Sequence, residues 1–218
     1  MALRINDVAP NFTADTTEGK IDFHDWIGDS YAILFSHPKD FTPVCTTEFA
    51  AAAKLSDEFA KRNTKVIGIS VDPVEEHMKW KADVEKFAGT EMTFPIIADD
   101  KLDIAKLYDM LPAEAYLPDG ATAGDTATVR TTFIINPDKK IELMLIYPMT
   151  VGRNFDEILR ALDAIQNNKK APIATPANWR PGEDVIVGLS LSTAEAKEKF
   201  GEVEEIFPYL RTTKAPAA

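Results

Sequence analysis

The chain has 218 residues, a hydrophobic content of 45% and a formal net charge of −11 at pH 7. These values predict a globular protein with one medium domain, alone or with an appendage, and they disfavour nucleic acid and anionic membranes as partners. The only cysteine is Cys45, which excludes an internal disulfide, and no apolar run approaches the ~20 residues that span a bilayer. Because the first residues show no apolar stretch typical of a signal peptide, we expect a cytoplasmic protein.

The first half of the chain predicts alternating strands and helices. Residues 8–27 are typical of an irregular or β-hairpin segment, and the apolar run Tyr31–Ser36 predicts a buried strand. The alanine-rich segment that follows predicts a helix ending near residues 62–63. Further apolar runs and helical spacings predict a strand at 66–71, a helix at 74–88, a strand at 94–98 and a short helix at 101–109.

The second half begins with an exposed loop at 113–127, rich in Ala, Asp, Gly and Thr. Strands at 129–135 and 141–147 follow, joined by the turn sequence Asn136-Pro-Asp-Lys-Lys, and a helix is predicted at 153–168. Alternating strands and helices that end in a hairpin predict an α/β sandwich around a mixed central sheet. The order resembles a thioredoxin-like fold with an N-terminal β extension.

The composition changes after Lys170. A linker with three prolines leads into a tail in which we predict only a short strand at 185–187 and a helix near 193–200. These elements are too few to bury a core alone, so the tail must pack on the main domain or on a partner subunit. We therefore divide the chain into a domain at 1–168 and a small α+β appendage, for dimerisation, at 169–218.

Cys45 lies where the sequence predicts the start of a helix. Thr42 is a good N-cap and Pro43 a good first helical residue, which makes Cys45 the third residue of the helix. The free N–H groups and the positive end of the helix dipole stabilise a thiolate there. A buried structural cysteine is the alternative, but it gains nothing from such a helix start. We therefore predict a redox or nucleophilic cysteine.

The segment Phe35-Ser-His-Pro-Lys-Asp-Phe-Thr-Pro-Val-Cys-Thr-Thr-Glu48 resembles the active-site signature of peroxiredoxins, in the form used by the 1-Cys, peroxiredoxin-six subfamily. The resemblance continues to the tail, through Arg130, 136–140, Tyr147-Pro148, 152–159 and 174–179. It implies a thiol-dependent peroxidase that reduces hydrogen peroxide and organic hydroperoxides.

The resemblance also implies roles for three catalytic residues. Cys45 is the nucleophile, the Thr42 hydroxyl hydrogen-bonds a peroxide oxygen, and Arg130 holds the thiolate and the developing negative charge. Thr42 and Arg130 also have ordinary structural roles as alternatives to these catalytic ones. Thr42 caps the helix, and Arg130 belongs to a structural ion pair.

Four further residues are expected to support the site. Glu48, three residues after Cys45, lies on the same helical side and orients the guanidinium group of the catalytic arginine. Arg153 is a second, outer cation or else an ordinary surface charge. Pro38 shields the thiolate from water, and His37 lines the pocket.

The cysteine count predicts the catalytic cycle. A Cys-x-x-Cys oxidoreductase would carry a second cysteine at position 42, where this chain has Thr42. The sulfenic acid formed on Cys45 therefore has no internal thiol to condense with, and an external thiol must complete the cycle. Glutathione, a small dithiol and a protein thiol all remain open. The expected assembly is a homodimer, or a larger oligomer built from it.

Members of this subfamily are also associated with phospholipase A2-type activity, and the matching positions here are His24, Ser30 and Asp138. The serine motif lacks the last glycine of Gly-x-Ser-x-Gly, and Ser30 precedes a strand rather than following one. These departures disfavour a lipase. Ordinary turn and surface positions explain all three residues.

No cofactor is expected. The three histidines lack metal-ligand spacing, and no phosphate loop or dinucleotide motif is present. Two other classes remain open: a Cys–His hydrolase with His37 as the base of Cys45, and a non-enzymatic holdase or redox sensor.

Overall fold

The computed structural model describes residues 3–115 and 126–215, which form two compact units, Met1–Phe155 and Asp156–Ala218. The described part of the larger unit contains seven strands: β1 (Thr13–Thr16), β2 (Gly19–Asp22), β3 (Tyr31–Ser36), β4 (Thr64–Ser70), β5 (Ile96–Ala98), β6 (Arg130–Ile135) and β7 (Ile141–Tyr147). The helices among the described residues are α1 (Phe23–Ile27), α2 (Pro43–Lys54), α3 (Ser56–Lys61), α4 (Val74–Ala88), α5 (Asp103–Leu107), α6 (Phe155–Lys170) and α7 (Thr193–Phe200). Within the described ranges, no helix is both long and apolar enough to cross a membrane.

The seven strands form one mixed sheet in the order β2-β1-β5-β4-β3-β6-β7. Strands β3, β4 and β5 are parallel, whereas β6 runs antiparallel to β3 and β7 antiparallel to β6. The β1–β2 hairpin joins the sheet through the pairing of Thr16 with Ile97, which is the N-terminal β extension expected from the sequence. The mixed α/β sheet is therefore the predicted one.

Helix α2 packs closely on the centre of the sheet because β4 carries a glycine there. A Cβ atom built on Gly68 would lie 2.6 Å from Cζ of Phe49, so any other residue would push the helix away. Phe49 is one turn after Cys45, and its ring also packs on Phe35 of β3 at 4.8 Å between centroids. The close approach therefore holds the cysteine-bearing helix against the sheet.

Several predicted boundaries agree with the structure and others move. The helix at 74–88 and the strands at 31–36 and 141–147 have the predicted bounds. The helix expected to run to 62–63 is instead two helices, because the chain breaks at Leu55. In the predicted loop at 113–127, Ala113–Ala115 form a short 3-10 turn, and residues 116–125 lie outside the described part of the chain.

The C-terminal unit contains more structure than the sequence predicted. Its sheet has the order β10-β11-β9-β8, formed by β8 (Ile173–Ala174), β9 (Val185–Val187), β10 (Glu204–Phe207) and β11 (Leu210–Thr213). The predicted strand at 185–187 and helix at 193–200 are present, but the β10–β11 hairpin was missed because every residue of β10 is exposed and shows no alternation. Buried Trp179 and Val185 centre a small core.

The two compact units meet at Phe155 and Asp156, so α6 belongs mainly to the C-terminal unit. The boundary predicted from composition, at 168/169, lies near the end of that helix.

Candidate active site

Cys45 is the third residue of α2 and is fully buried. The chain reaches it from the end of β3 through residues 37–42, in which Phe41 has a left-handed φ of 55° and Thr42 is extended. The helix therefore begins at Pro43, as predicted. Thr42 occupies the predicted N-cap position, but its side chain makes no cap hydrogen bond, and its Oγ1 donates instead to the Lys39 carbonyl oxygen at 2.8 Å. That half-buried hydroxyl keeps lone pairs with which to accept a hydrogen bond.

The Arg130 guanidinium lies directly beside the sulfur. Its Nη1 is 3.3 Å from Sγ of Cys45 and 2.6 Å from Oε2 of Glu48, and its Nε donates to the Met149 carbonyl oxygen at 2.8 Å. Arg130 is the first residue of β6, and only 3% of its surface is exposed. The fold therefore brings the cysteine and this arginine into contact, although they are 85 residues apart.

Glu48 holds two guanidinium groups at once. Its Oε1 accepts hydrogen bonds from the backbone N and Nε of Arg153, both at 2.8 Å, and its Oε2 accepts from Arg153 Nη2 and Arg130 Nη1. Burial alone would raise the pKa of Glu48, but the hydrogen bonds and charge of Arg153, with that of Arg130, hold this pKa below its usual value. The carboxylate is therefore ionised, and the three groups carry a net charge of about +1.

This unbalanced positive charge lies next to the sulfur. A buried net charge is costly unless a counter-charge lies close by. A thiolate on Cys45, in contact with Arg130 Nη1, supplies that counter-charge. The fold therefore places a net positive charge in contact with the cysteine sulfur, in addition to the helix start.

Arg153 is not an ordinary surface charge. It is buried, its Nη1 donates to the Thr131 carbonyl oxygen at 3.0 Å, and its guanidinium lies 5.0 Å from the ring centre of Phe35. The surface-charge alternative is therefore wrong. Its bonds go to Glu48 and to the strand, so in this structure it orients the carboxylate that in turn holds Arg130.

His37 and Pro38 are both buried at the end of β3. The His37 Nε2 is 2.7 Å from Oδ1 of Asp40, and its Nδ1 has no hydrogen-bond partner among the described residues. A Cys–His hydrolase needs the histidine to accept a proton from the cysteine. Neither ring nitrogen makes a hydrogen bond to the sulfur within the described chain, so the geometry disfavours that class.

The Asp40 carboxylate is hydrogen-bonded to two histidines that lie far apart in the sequence, His37 and His77. His77, on α4, places Nδ1 2.6 Å from Oδ2 of Asp40, and the donor atoms of these three buried residues lie within 4.8 Å of one another. The expectation of dispersed histidines is therefore wrong for His37 and His77. No local sequence pattern indicates this cluster. His77 lies on α4, which follows β4, and only the parallel pairing of β4 with β3 brings it close to His37 and Asp40.

The sequence model described as the AhpC/TSA family matches residues 5–144, and the one described as the C-terminal domain of 1-Cys peroxiredoxin matches residues 164–202. The chain belongs to the 1-Cys peroxiredoxins of the AhpC/TSA family. Peroxiredoxins are thiol peroxidases, so the predicted enzyme class is confirmed.

Individual peroxiredoxins are similar to this chain over nearly all of its length, which agrees with this assignment. "Peroxiredoxin PRX1, mitochondrial" from Saccharomyces cerevisiae is 54% identical over 214 residues, which cover 98% of this chain and 81% of that protein. A structure described as the basis of thiol resolution in yeast mitochondrial 1-Cys peroxiredoxin via the glutathione and thioredoxin systems has a TM-score of 0.87 and 52% identity, covering 97% of this chain and 99% of the other.

A Cys-to-Ser mutant of peroxiredoxin 6 from Arenicola marina has a TM-score of 0.91 and 41% identity, with all of both chains covered. These likenesses confirm the predicted thioredoxin-like sandwich with a small C-terminal sheet.

The residues at the phospholipase-type positions of this peroxiredoxin do not form a catalytic pair. His24 Nε2 donates to the Ala9 carbonyl oxygen at 2.7 Å, and Ser30 Oγ donates to Asn63 Oδ1 at 3.0 Å. Asp138 lies in the turn between β6 and β7. Because the serine and the histidine bond to different partners, the structure offers no activated serine.

Proposed function

We propose that Cys45 of this peroxiredoxin reduces hydrogen peroxide and organic hydroperoxides and is then restored by an external thiol. The observation that carries this proposal is the contact between the buried Cys45 sulfur, at a helix start, and Arg130 Nη1 at 3.3 Å. Cys45 is also the single cysteine of the chain. Stopped-flow measurement of peroxide consumption with and without added thiol tests it: sustained consumption should require the thiol.

The first step is attack of the Cys45 thiolate on the terminal oxygen of the hydroperoxide. The S–O bond forms while the O–O bond breaks, so the sulfur loses two electrons and the leaving oxygen departs as hydroxide or alkoxide, which takes a proton from water. Arg130 already lies beside the sulfur and is placed to stabilise the charge that develops on the leaving oxygen. Thr42 Oγ1 accepts the hydrogen bond of the peroxide O–H group.

The supporting residues keep this arrangement rigid. Glu48 fixes Arg130, and Arg153 fixes Glu48 through hydrogen bonds to both carboxylate oxygens. Buried Pro38 reduces access of water to the sulfur. Because these side chains are held by one another before substrate arrives, little reorganisation is needed in the transition state.

The second step needs a thiol from outside the chain. A thiolate attacks the Cys45 sulfenic acid, releasing water and forming a mixed disulfide, and a second external thiol releases Cys45 as the reduced form. The yeast relative is described with the glutathione and thioredoxin systems, which supports a glutathione- or thioredoxin-type reductant for this chain.

One equivalent of peroxide should therefore convert Cys45 to the sulfenic acid and then stop. Excess peroxide should add a second and a third oxygen, since no internal thiol removes the first, and added thiol should prevent this. Intact-mass spectrometry after stepwise peroxide addition measures the gains. A disulfide between two Cys45 residues as the main product of the first equivalent would contradict the external-thiol cycle.

We further propose that the protein is a homodimer joined along β7, whereas the sequence alone assigned dimerisation to the appendage at 169–218. This strand is last in the order of the sheet, and Ile146 is 61% exposed. Within residues 3–115 and 126–215, the N-terminal segment pairs with this strand at its first residue alone, where Ile141 bonds to Asn6 and Asp7. An unpaired apolar edge invites pairing with a second copy.

Replacing Ile146 with Glu should convert the dimer to a monomer, because the charge would be buried at the joined edge. Sedimentation equilibrium measures the mass against the 24.1 kDa of one chain. Phe87→Glu is the matched control, since Phe87 is 60% exposed on α4 and should leave the dimer intact. A dimer that survives Ile146→Glu would place the interface elsewhere.

We propose cytoplasmic residence, supported by the acidic composition and by the single cysteine, which cannot form an internal disulfide. Imaging of the tagged protein in its source cells tests it, with a mitochondrial location as the alternative suggested by the name of the yeast relative.

A further inference from the structure

A buried cluster of charged groups lies at the end of β3, where the chain turns toward Cys45. The Asp40 carboxylate is at its centre, with His37 Nε2 at 2.7 Å from one oxygen and His77 Nδ1 at 2.6 Å from the other. His37, Asp40 and His77 are each at least 96% buried. Asp72 lies next to them and accepts hydrogen bonds from the Asp40 backbone N at 2.9 Å and from Ser70 Oγ at 2.8 Å.

The hydrogen bonds decide where the protons are. His77 Nε2 faces the Ile97 carbonyl oxygen at 3.1 Å, and a carbonyl oxygen can only accept, so Nε2 carries a proton. The other nitrogen, Nδ1, faces Asp40. Burial by itself raises the pKa of Asp40, but the hydrogen bonds from His37 and His77 outweigh it and hold this pKa below its usual value. The carboxylate is therefore an acceptor too, and both nitrogens of His77 must be donors.

The hydrogen-bond partners of the two His37 ring nitrogens indicate that this ring is neutral. Its Nε2 donates to Asp40, whereas its buried Nδ1 has no partner among the described residues and no acceptor to stabilise a second proton. Burial, the largest effect, lowers the pKa of His37, and repulsion from His77 adds to this, against the opposing influence of Asp40 and Asp72. One cation and one anion, His77 and Asp40, are thus paired in the protein interior.

This cluster touches the cysteine-bearing helix at two points. The His37 ring stacks on Trp80, with centroids 5.0 Å apart, and meets Phe49 edge-on at 4.6 Å. Trp80 Nε1 donates in turn to Thr46 Oγ1 at 3.1 Å. Thr46 is adjacent to Cys45 and Phe49 is one turn further along α2.

The cluster also anchors a strained turn. Phe41 has a φ of 55°, in the left-handed region, which a bulky side chain keeps only when its surroundings enforce it. The preceding residue, Asp40, is fixed by three hydrogen bonds: its carboxylate accepts from His37 and from His77, and its backbone N donates to Asp72. The next residue is Thr42.

We propose that His77 is a positioning residue of the peroxidase: it donates from both ring nitrogens, to Asp40 and to the Ile97 carbonyl oxygen, and the charge it thereby carries holds Asp40 and His37, residues 37–42 and the start of α2 in place. The same three side chains could be compared with a metal site, but their spacing in this structure is that of hydrogen bonds. Two ligand atoms on one zinc ion are separated by about 3 Å or more, whereas the carboxylate oxygens and ring nitrogens here are 2.6 and 2.7 Å apart, which are hydrogen-bond distances.

The protonation states can be measured directly, because the chain has three histidines. Long-range proton–nitrogen NMR spectra of the full-length protein with labelled histidine, at pH 7, should show two protonated nitrogens for His77 and one for His37. His24→Gln assigns the third ring. An unprotonated ring nitrogen on His77 would overturn the proposal. Zinc binding would overturn it as well, seen as saturable shifts of the His37 and His77 signals on adding one equivalent of Zn²⁺.

His77→Gln separates charge from packing, since the Gln amide can still donate to Asp40 but brings no positive charge. We expect the pKa of His37 to be higher in this variant than in the wild type, so that His37 takes up a second proton more readily, because Asp40 then has no other cation beside it. A merely structural role for His77 would leave His37 neutral. If the variant fails to fold, the wild-type spectrum decides the proposal alone.

The kinetic part rests on the proposed peroxidase reaction, whereas the NMR part does not. The rate constant for oxidation of Cys45 by peroxide should fall about tenfold in His77→Gln and acquire a pH dependence that follows the His37 titration, because residues 37–42 and the helix start are less well fixed. His24→Gln should react as the wild type. An unchanged rate and pH profile in His77→Gln would refute the positioning role, while no oxidation in the wild type would refute the proposed function instead.

Discussion

Replacing Cys45 with serine is expected to abolish thiol-dependent peroxide reduction. The sulfur is the only thiol in the chain, and a serine hydroxyl is not ionised beside Arg130 at neutral pH. Turnover should fall to the rate of the added thiol alone, measured as peroxide consumption under saturating reductant. The fold should remain, since serine fits the space of cysteine and the Arenicola marina Cys-to-Ser mutant has a TM-score of 0.91 with this chain.

The same variant separates the other classes of function. Thr47→Ser is a matched control, because Thr47 is exposed on α2 and its hydroxyl bonds only to its own helix, at Val44. A holdase chaperone would keep its biological effect in Cys45→Ser, whereas a redox sensor or a peroxidase would lose it. Thiol-dependent turnover in Cys45→Ser above that of added thiol alone would refute Cys45 as the nucleophile.

Replacing Arg130 with methionine should slow oxidation of Cys45 about 10²- to 10³-fold, the usual cost of removing one donor aimed at developing charge. The change also leaves Glu48 paired with Arg153 alone, so the site loses the net positive charge that a thiolate balances. A smaller fraction of thiolate is therefore expected at neutral pH. Thiolate absorbance against pH and stopped-flow oxidation measure the two effects separately.

Arg130→Lys and Arg62→Met are the controls for this experiment. The lysine keeps the positive charge but cannot contact Cys45 and Glu48 at the same time, as the guanidinium does. The loss of oxidation rate in Arg130→Lys should therefore be smaller than in Arg130→Met. Arg62 pairs with Glu58 on the surface, and its loss should change neither measurement. Wild-type absorbance and oxidation in Arg130→Met would make Arg130 a structural residue only.

The sequence by itself determined the parts of the site that depend on neighbours along the chain. Pro43 begins a helix wherever its fixed φ is followed by alanine-rich residues, so the place of Cys45 at the helix start followed directly. The spacing of Glu48 from Cys45 is likewise a property of any helix. Alternating strands and helices predicted the mixed sheet, and the absence of a second cysteine predicted the external thiol.

Tertiary structure alone decided the contacts between distant segments. Arg153 was ambiguous in the sequence because a charged residue after a loop is usually exposed, and only the folded chain brings its guanidinium to both oxygens of Glu48. His77 gave no signal at all, since its partner Asp40 is 37 residues away on another element. Burial then decides the chemistry: away from water, each of these charges must be balanced by a neighbour that only the fold supplies.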